Sequence, residues 1–428
     1  MTAEVVVMNK IGVALAADSA VTIGGDLKKI YTSADKLFQL TDFYPIGVMV
    51  YGSADIMGYP WETIIKCFKN SSFCLKRDTV SEYANDFFDF IISSESMISE
   101  KDQTDFLTDS SRVCFGYIFS IIHNELQSFI DINGEINEKQ IKKIFSTTVE
   151  NELSEIRESD YLDGFDDNFL NSLKRKFKKE IKESIDFIFK KIPRYSKTNN
   201  DLVSIFFESL LRGKRSIQNS GLVFAGFGEC QVFPELIEYR ICGIMCDKII
   251  GNKKSYKIGK NSRGLVVPFA QREMVATFME GVNPELRSAM QDLTLACLRN
   301  VSDEIVNDLN GDATLYNNLI VQMSEQVNEE WRKLTRKLFI DPVVDMVASL
   351  PKDELGAMAE ALVELTKFKR KISRQAETVG GPIDVAIITK GDGFVWVKRK
   401  HYFPIDLNPK FQARYNIFAA SALQRGDL

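Results

Sequence analysis

Residues 11–17 form an uninterrupted apolar run, Ile-Gly-Val-Ala-Leu-Ala-Ala, close to the start of the chain. A strand with one face in water alternates apolar and polar residues, whereas a strand covered on both faces reads as a continuous apolar run. Residues 3–8 are also mostly apolar, and Asn9-Lys10 between the two runs has the composition of a tight turn. The opening of the chain therefore predicts a β-hairpin inside a sheet that is covered above and below.

Strands and helices are predicted in separate blocks along the chain. Strand signals fill the first sixty residues, return near 221–267 and close the chain with a hairpin at 383–398. Helical periodicity dominates 55–211 and 269–372. Segregated blocks of this kind predict an α+β fold with two antiparallel sheets and helical layers. Because no repeat or Pro/Gly-rich hinge interrupts the sequence, a single elaborated domain over 1–428 is expected.

The C-terminal part of the chain carries two local expectations. A last helix is predicted over Lys352–Ile372, with Ser349 as its cap and Pro351 near its first turn. Lys398–His401 is expected to be a cationic strand end that keeps a sheet edge soluble.

Composition excludes several classes of function. The 54 basic and 59 acidic residues give a net charge of −5, so there is no global cationic field for nucleic acid. No stretch approaches the roughly 20 apolar residues of a membrane helix. Glu4 and Lys10 interrupt the apolar start, which does not resemble a signal peptide. Seven scattered cysteines are typical of free thiols in a reducing compartment, so a cytoplasmic protein without a metal is expected.

The second residue offers a catalytic group that needs no histidine, of which the chain has only two. Thr2 has a small side chain that permits removal of Met1, and removal would leave Thr2 with a free α-amino group. Such a residue carries a nucleophilic hydroxyl and a base on one skeleton. Because an α-amine has an ordinary pKa of roughly 7.7–8.0, it is a usable base near neutral pH.

Strand register predicts which side chains accompany Thr2. A turn at Asn9-Lys10 would pair residues whose numbers sum to about nineteen, which places Thr2 opposite Ala17 and beside Asp18. Lys36 opens the next strand, and its ammonium would lower the pKa of the α-amine while Asp18 holds it. Thr2, Asp18 and Lys36 each have an ordinary structural explanation when taken singly. Together, at this register, they favour a catalytic site.

The same residues carry a resemblance to a known family. Thr2, the segments 12–19 and 36–40, and Gly52-Ser53-Ala54-Asp55 resemble the N-terminal part of proteasome β-subunits. They also resemble the bacterial proteasome-like peptidase that partners an ATP-driven unfoldase. Gly221–Phe227 looks like the central strand of that family, and Gly380–Val385 looks like its closing strands. Matching segments cover about half of the chain, and the N-terminal set is the specific part.

The resemblance implies an N-terminal-nucleophile hydrolase with a four-layer αββα sandwich. Its core would comprise about 2–98, 216–270 and 350–428, with helical insertions at about 99–215 and 271–349. Such insertions could roof the site, restrict substrates or block a ring assembly.

The resemblance also implies a role for each candidate residue. Thr2 would be the nucleophile, with Asp18 and Lys36 as its supporting pair. The backbone N–H of Gly52, or of Tyr51 if the loop length shifts it, would stabilise the oxyanion.

Two family elements are missing from this chain. The family has a Gly-Ser-Gly element whose serine supports the amine, whereas the corresponding residues 265–270 contain no hydroxyl. The family also places an Asp and a Ser shortly before the final Gly-Gly. Here Glu377 and Thr378 stand nearby, each displaced by one position, and they are the candidate replacements.

These observations favour an amide hydrolase that acts on peptides through an acyl-enzyme on Thr2, without a cofactor or metal. Resemblance alone adds a homo-oligomeric ring and an ATP-driven unfoldase as partners. Two alternatives stay open: a catalytically silent proteasome-like scaffold that binds another protein, and an amidase that acts on small molecules. A nucleic-acid contact at the basic helix 174–179 is weaker, because an acidic stretch at 158–167 precedes it.

Overall fold

The computed structural model describes residues 2–23, 29–94, 97–214, 219–260, 262–309, 313–373, 379–411 and 413. The chain divides into two compact units, which are described separately below. The first unit contains Met1–Met49, Ala225–Glu235 and Tyr256–Leu428, and the second contains Val50–Phe224 and Leu236–Ser255. The single-domain expectation for 1–428 stays a prediction.

The described residues form short strands and long helices in separate blocks. The strands are β1 (Ala3–Asn9), β2 (Gly12–Ala17), β3 (Val21–Ile23), β4 (Lys29–Tyr31), β5 (Leu37–Gln39), β6 (Ile46–Gly52), β7 (Asp55–Ile56), β8 (Tyr59–Pro60), β9 (Ser220–Gly226), β10 (Glu235–Met245), β11 (Lys248–Lys257), β12 (Gly264–Ala270), β13 (Asp384–Thr389) and β14 (Gly393–Lys398). The helices are α1 (Trp61–Lys69), α2 (Val80–Ser93), α3 (Glu100–Asn133), α4 (Glu138–Arg157), α5 (Asp167–Ile188), α6 (Ser196–Leu211), α7 (Glu273–Glu280), α8 (Pro284–Leu309), α9 (Ala313–Thr335), α10 (Asp341–Ser349) and α11 (Lys352–Ile372). A π-helical turn at Arg336–Ile340 joins α9 to α10, and a 3-10 turn follows at Ile405–Leu407.

Two five-stranded sheets contain most of the strands, in the orders β12-β1-β2-β13-β14 and β11-β10-β9-β6-β5. In the first sheet the pairs β1/β12, β1/β2, β2/β13 and β13/β14 are all antiparallel. The expected α+β class with antiparallel sheets agrees with this arrangement. The four-layer order of the sandwich stays a prediction.

The hairpin of β1 and β2 has a different register from the predicted one. Glu4 lies opposite Ala17, so the predicted pairing of Thr2 with Ala17 is wrong by two residues. The cause is Asn9, whose side-chain oxygen accepts hydrogen bonds from the backbone of Ile11 (2.8 Å) and Gly12 (3.4 Å). The turn therefore centres on Lys10 and Ile11. Because the shift is two residues and side chains alternate, the predicted faces are preserved.

Both faces of the first sheet are covered, as its apolar sequence predicts. Ala3, Val5 and Val7 share one buried cluster with Leu355 and Leu362 of α11. On the other face, a methyl group added to Gly47 of β6 would lie 2.8 Å from Leu15 Cδ1 and 2.9 Å from Ile388 Cδ1. Gly47 of the first unit therefore packs closely against this face of the first sheet.

The helix α11 has the bounds that the sequence predicts, Lys352–Ile372. Its cap is different, because Pro351 occupies the N-cap position and makes no side-chain cap hydrogen bond. Ser349 is the last residue of α10, and its hydroxyl donates to the Met346 carbonyl oxygen (2.9 Å). The expectation that Ser349 caps α11 is therefore wrong.

Within the second unit, α3–α6 form a helical bundle with its own apolar core. Aromatic side chains of two helices meet there with Phe189, the residue after α5, which contacts Phe115 of α3 and Phe145 of α4. Ser99 and Asn137 form capping boxes at the starts of α3 and α4. The bundle occupies the predicted insertion 99–215.

In the first unit, α7–α10 occupy the predicted insertion 271–349. The long helices α8 and α9 contrast with the bundle, because they leave many large apolar side chains half exposed. These include Leu286, Met290, Leu293, Val301, Leu315, Met323 and Val327. Within the described ranges, no helix combines the length and the apolar character that crossing a bilayer requires.

Candidate functional site

The end of the first hairpin brings a carboxylate to Thr2. The Ala3 backbone N–H donates to Asp18 Oδ1 (3.0 Å), and the Asp18 N–H donates to the Ala3 carbonyl oxygen (3.1 Å). The carboxylate of Asp18 therefore lies against the peptide bond that joins Thr2 to Ala3. Thr2 itself is buried, with 6% of its surface exposed.

Lys36 completes this group of buried polar residues. Its Nζ donates to Asp18 Oδ1 at 2.6 Å, with Asp18 1% and Lys36 6% exposed. The other carboxylate oxygen, Oδ2, accepts from the backbone of Gly380 (2.9 Å) and Ala20 (3.3 Å). In the described part of the chain Asp18 thus accepts four hydrogen bonds. Such a set of donors stabilises a buried carboxylate and fixes its orientation.

Gly380 and Gly381 pack closely around the segment that carries the Asp18 carboxylate. Besides the Gly380 bond to Asp18, the Ser19 backbone donates to the Gly380 carbonyl oxygen (3.1 Å). Gly381 has a φ of +77°, and a Cβ there would lie 2.6 Å from the Thr32 carbonyl oxygen. A side chain at Gly381 would therefore be strained and would clash with backbone.

A second ion pair, which the sequence analysis missed, fixes the segment that carries Lys36. Lys400 Nζ contacts Asp35 Oδ1 (3.0 Å) and also binds the Asp384 carboxylate. Asp35 precedes Lys36, and Asp384 lies opposite Ala17, the residue before Asp18. The expectation that 398–401 is only a solubilising edge is wrong for Lys400, whose side chain is 9% exposed. No local pattern marks Lys400, because its partners are distant in sequence.

The strand β12 borders Thr2 on its other side. The Gln271 backbone donates to the Thr2 carbonyl oxygen (3.1 Å), and Ala270 lies opposite Ala3. Ala270 has a φ of +58°, a left-handed conformation that costs a non-glycine residue roughly 1–2 kcal/mol. Residues held in such conformations cluster at functional sites.

Solved structures of Anbu are similar to this chain. An Anbu (Gly-1) mutant from Hyphomicrobium sp. strain MC1 aligns over 100% of this chain and 97% of its own, with 9% identity and a TM-score of 0.28. Anbu (ancestral beta-subunit) from Yersinia bercovieri aligns over 97% of this chain and 96% of its own, with 11% identity and a TM-score of 0.28. The chain matches no protein-family model and no curated protein. At this TM-score the Anbu likeness supports no argument about mechanism.

Three other candidates stay predictions. Gly52 belongs to the second unit, where its φ is +79° and a Cβ would lie 2.2 Å from the Asn219 carbonyl oxygen. Its assignment as the oxyanion donor, or that of Tyr51, stays a prediction. Glu377 and Thr378 lie outside the described residues.

Glu4 is a further buried carboxyl group that the sequence analysis did not identify as a site residue. It is 0% exposed, and burial raises the pKa of its carboxyl group well above the ordinary value. Lys36 opposes that rise, and Asp18 adds to it. The available signal was a single acid within the apolar run 3–8.

The charged side chains of this group form a compact buried pair. Within the described ranges, no cluster of three or more His, Cys, Asp or Glu side chains could hold a metal ion. What the group presents is a neutralised, buried carboxylate–ammonium pair directly beside the backbone of Thr2.

Proposed function

We propose that the chain is an N-terminal-threonine amide hydrolase that cleaves peptide substrates. The observation that carries the proposal is the buried Lys36–Asp18 pair, packed against the peptide bond that follows Thr2. A buried ion pair contributes little net stability, so stability alone does not account for this one. The proposal requires Thr2 to be the first residue of the mature chain.

The proposed reaction uses one residue as nucleophile and base. The Thr2 hydroxyl oxygen attacks the carbonyl carbon of an amide while the α-amine of Thr2 takes the hydroxyl proton. The tetrahedral intermediate collapses, the C–N bond breaks, and the α-ammonium returns the proton to the leaving amine. Water then attacks the ester carbonyl carbon while the α-amine accepts a proton from it. The bond between that carbon and the Thr2 hydroxyl oxygen breaks, the α-ammonium returns the proton to this oxygen, and the carboxylic acid leaves.

Lys36 and Asp18 prepare Thr2 for this reaction. An ammonium beside the α-amine disfavours a second positive charge, which keeps the amine in its neutral, basic form. Asp18 holds the ammonium in place through a charge-assisted hydrogen bond of 2.6 Å. The strained backbone of Ala270 next to Thr2 further supports a functional site.

The finer assignments belong to the same proposal. They comprise the oxyanion donor at Gly52, the four-layer αββα sandwich, a homo-oligomeric ring, an ATP-driven unfoldase as partner and a cytoplasmic location. An amidase acting on small molecules would use the same catalytic residues and differ only in substrate.

A catalytically silent scaffold is the second candidate function. It is favoured by β12, which carries no hydroxyl between Gly264 and Ala270 to support an α-amine at Thr2. In a scaffold, Asp18 and Lys36 would serve only to fix the start of the chain.

Labelling at the N-terminus tests the first proposal against the second. The intact mass of the purified protein reports whether Met1 is removed and whether Thr2 is free. The protein is then treated with an electrophile that bonds to both the hydroxyl and the α-amine of an N-terminal threonine, and the adduct is located by mass spectrometry. We expect one adduct on Thr2 that Thr2→Ala abolishes.

Matched variants separate site chemistry from general effects. Lys36→Met should abolish labelling, whereas Lys352→Met should not, since Lys352 pairs with Asp392 at an exposed position. A retained Met1, a blocked Thr2, or equal labelling in Lys36→Met would refute the proposed mechanism and favour the scaffold.

A further inference from the structure

Glu4 is a buried carboxyl group for which the proposed mechanism has no use. It is the second residue of the apolar strand β1 and is fully inaccessible to solvent. Among the described residues, neither of its carboxyl oxygens has a hydrogen-bond partner. Because an unpaired buried charge is very costly, a group in this position needs either a proton or a cation.

Glu4 lies on the same face of β1 as Thr2. Ala3, Val5 and Val7 point to the cluster that contains α11, so by alternation Glu4 points to the opposite face. The Thr2 carbonyl oxygen accepts a hydrogen bond from Gln271, so the pairing of β1 with β12 continues to Thr2. Because side chains alternate along a strand, Thr2 and Glu4 lie on the same face.

The charged groups that act on Glu4 are those of the proposed site. Its paired neighbours in the sheet, Ala17 and Phe269, are apolar. The electrostatic influences on its carboxyl group come from Lys36 and Asp18. Two carboxyl groups therefore share the influence of one ammonium, and Lys36 bonds to Asp18.

The carboxyl groups of Asp18 and Glu4 differ in the hydrogen bonds that they accept. Asp18 accepts three backbone hydrogen bonds in addition to the bond from Lys36. Glu4 accepts none among the described residues. The neutral, protonated form of Glu4 is thus the form that fits this position, and burial raises its pKa accordingly.

We propose that Glu4 is a positioning residue whose proton keeps Lys36 on Asp18, and that loss of this proton draws Lys36 toward Glu4 and lowers the reactivity of Thr2. This inference rests on the proposed function only for its consequence at Thr2. The proton passes to solvent, and no covalent bond forms or breaks.

The direction of the pH effect follows from charge. With Glu4 neutral, Asp18 and Lys36 cancel, and the buried group carries no net charge. When Glu4 ionises, the group becomes an anion, which favours the protonated form of a nearby α-amine. Each unit by which the pKa of the amine rises lowers its neutral fraction about tenfold at a pH below that pKa. At such a pH, Thr2 should therefore react more slowly in wild type with Glu4 ionised than in a variant whose residue 4 cannot ionise.

The first measurement follows Lys36 directly and needs no activity. Lysine labelled at Cε and Nζ is incorporated into the full chain, and the Lys36 signal is assigned by its loss in Lys36→Met. The signal is followed by NMR from about pH 5 to about pH 10, a range between the ordinary values of Glu and Lys. We expect a step in wild type that disappears in Glu4→Gln, which keeps the shape and removes the ionisation.

Two further variants serve as controls for this measurement. Glu4→Met is a second neutral replacement of similar length, and it should also remove the step if Glu4→Gln folds poorly. Glu235→Gln removes another buried glutamate of the same unit, one that pairs with Lys257, and it should leave the step in place. A wild-type signal without a step, or a step that persists in Glu4→Gln, would overturn the inference.

The second measurement follows Thr2 labelling against pH in the same proteins. We expect the pH of half-maximal labelling to be higher in wild type than in Glu4→Gln by about one unit, because only wild type gains an anion near the α-amine. Identical labelling profiles in the two proteins would contradict the effect of Glu4 on Thr2. Absence of labelling in both, with the Lys36 step still dependent on Glu4, would refute the hydrolase and retain Glu4 as the residue that positions Lys36.

Discussion

The sheet region around Asp18 and the helical bundle around Glu208 both bury a carboxylate, but they neutralise it differently. Asp18 accepts three backbone N–H groups and one ammonium. Glu208, which is 2% exposed, has no such backbone set and faces three cations of its own bundle. Arg157 binds it in a bidentate manner, with both N–O distances 2.8 Å. Lys174 and Arg212 lie 3.7 and 3.8 Å away.

The difference shows how a buried charge can be fixed or left adjustable. Around Glu208 three cations contact one carboxylate. Among these contacts, no cation has a second carboxylate to which it could move. Around Asp18 the balance is reversed, because Glu4 and Asp18 share one ammonium. Rigid backbone donors fix Asp18 and leave Lys36 as the one group of the three that can change partner. The cluster around Glu208 therefore stabilises one fixed arrangement, whereas the group around Asp18 can respond to protonation of Glu4.

Replacing Asp18 should have the largest effect. Asp18→Asn leaves the Lys36 ammonium buried without its carboxylate and weakens three backbone hydrogen bonds. Breaking a buried pair in this way costs about 3–5 kcal/mol of the free energy of unfolding, and the presence of Glu4 places the loss near the lower end. Urea unfolding measures the loss, and Thr2 labelling should disappear in the same protein. A loss below about 1 kcal/mol would show that the pair is not structurally essential.

The equivalent change in the bundle should cost less. Glu208→Gln removes the common partner of three cations, but the side chain of Arg157 is 53% exposed and can turn to solvent. We expect a loss of about 2 kcal/mol in urea unfolding, because partial solvation offsets the broken pair. Thr2 labelling should be retained by the folded protein. A loss greater than that of Asp18→Asn would reverse the comparison between the two regions.

Glu4→Gln should change the pH dependence of stability in a defined direction. The folded pKa of Glu4 is raised above its unfolded value near 4.5, mainly by burial. Its contribution to stability is therefore fully present below about pH 4.5 and is lost as the pH rises through the folded pKa. The glutamine variant lacks this loss, so its stability relative to wild type should grow from acid to alkaline pH. Urea midpoints across the pH range measure this, and parallel curves would contradict a protonated Glu4.

Lys174→Met should have the smallest effect. Burial lowers the pKa of Lys174, which shows that its charge is not well stabilised despite Glu208 nearby. Arg157 and Arg212 remain to neutralise the carboxylate when Lys174 is removed. We expect a change within about 0.5 kcal/mol, since lost attraction and relieved desolvation offset each other. Thermal or urea unfolding checks this. A loss above about 2 kcal/mol in the free energy of unfolding would show that Lys174 is needed to stabilise the cluster around Glu208.

The sequence predicted the elements that depend on local pattern. The apolar run at 11–17, the bounds of α11 and the helical blocks follow from periodicity and appear in the structure. The meeting of Asp18 with Lys36 beside Thr2 was also predicted, although from a register two residues in error. Side-chain alternation made that error harmless, because a shift of two residues changes no faces.

What could not be predicted depends on partners far apart in the chain. Lys400 acts on Asp35 and Asp384 through folding that no local pattern encodes. The hydrogen bonds of Asn9 to its own turn, which moved the register, resemble those of many turn asparagines. Glu4 could be read as an interruption of an apolar strand, but its isolation from donors is visible only in the folded protein.

The hydrogen bonds of Asn9 and Gly380 can form only after most of the chain has been synthesised. The Asn9 amide donates to the carbonyl oxygens of Val347 and Leu350, and Asp18 receives the N–H of Gly380. These partners leave the ribosome more than three hundred residues after the hairpin that they complete. A nascent chain therefore has its threonine before it has the scaffold that would make the threonine reactive. In the proposed hydrolase, synthesis of the C-terminal part would therefore have to precede activity.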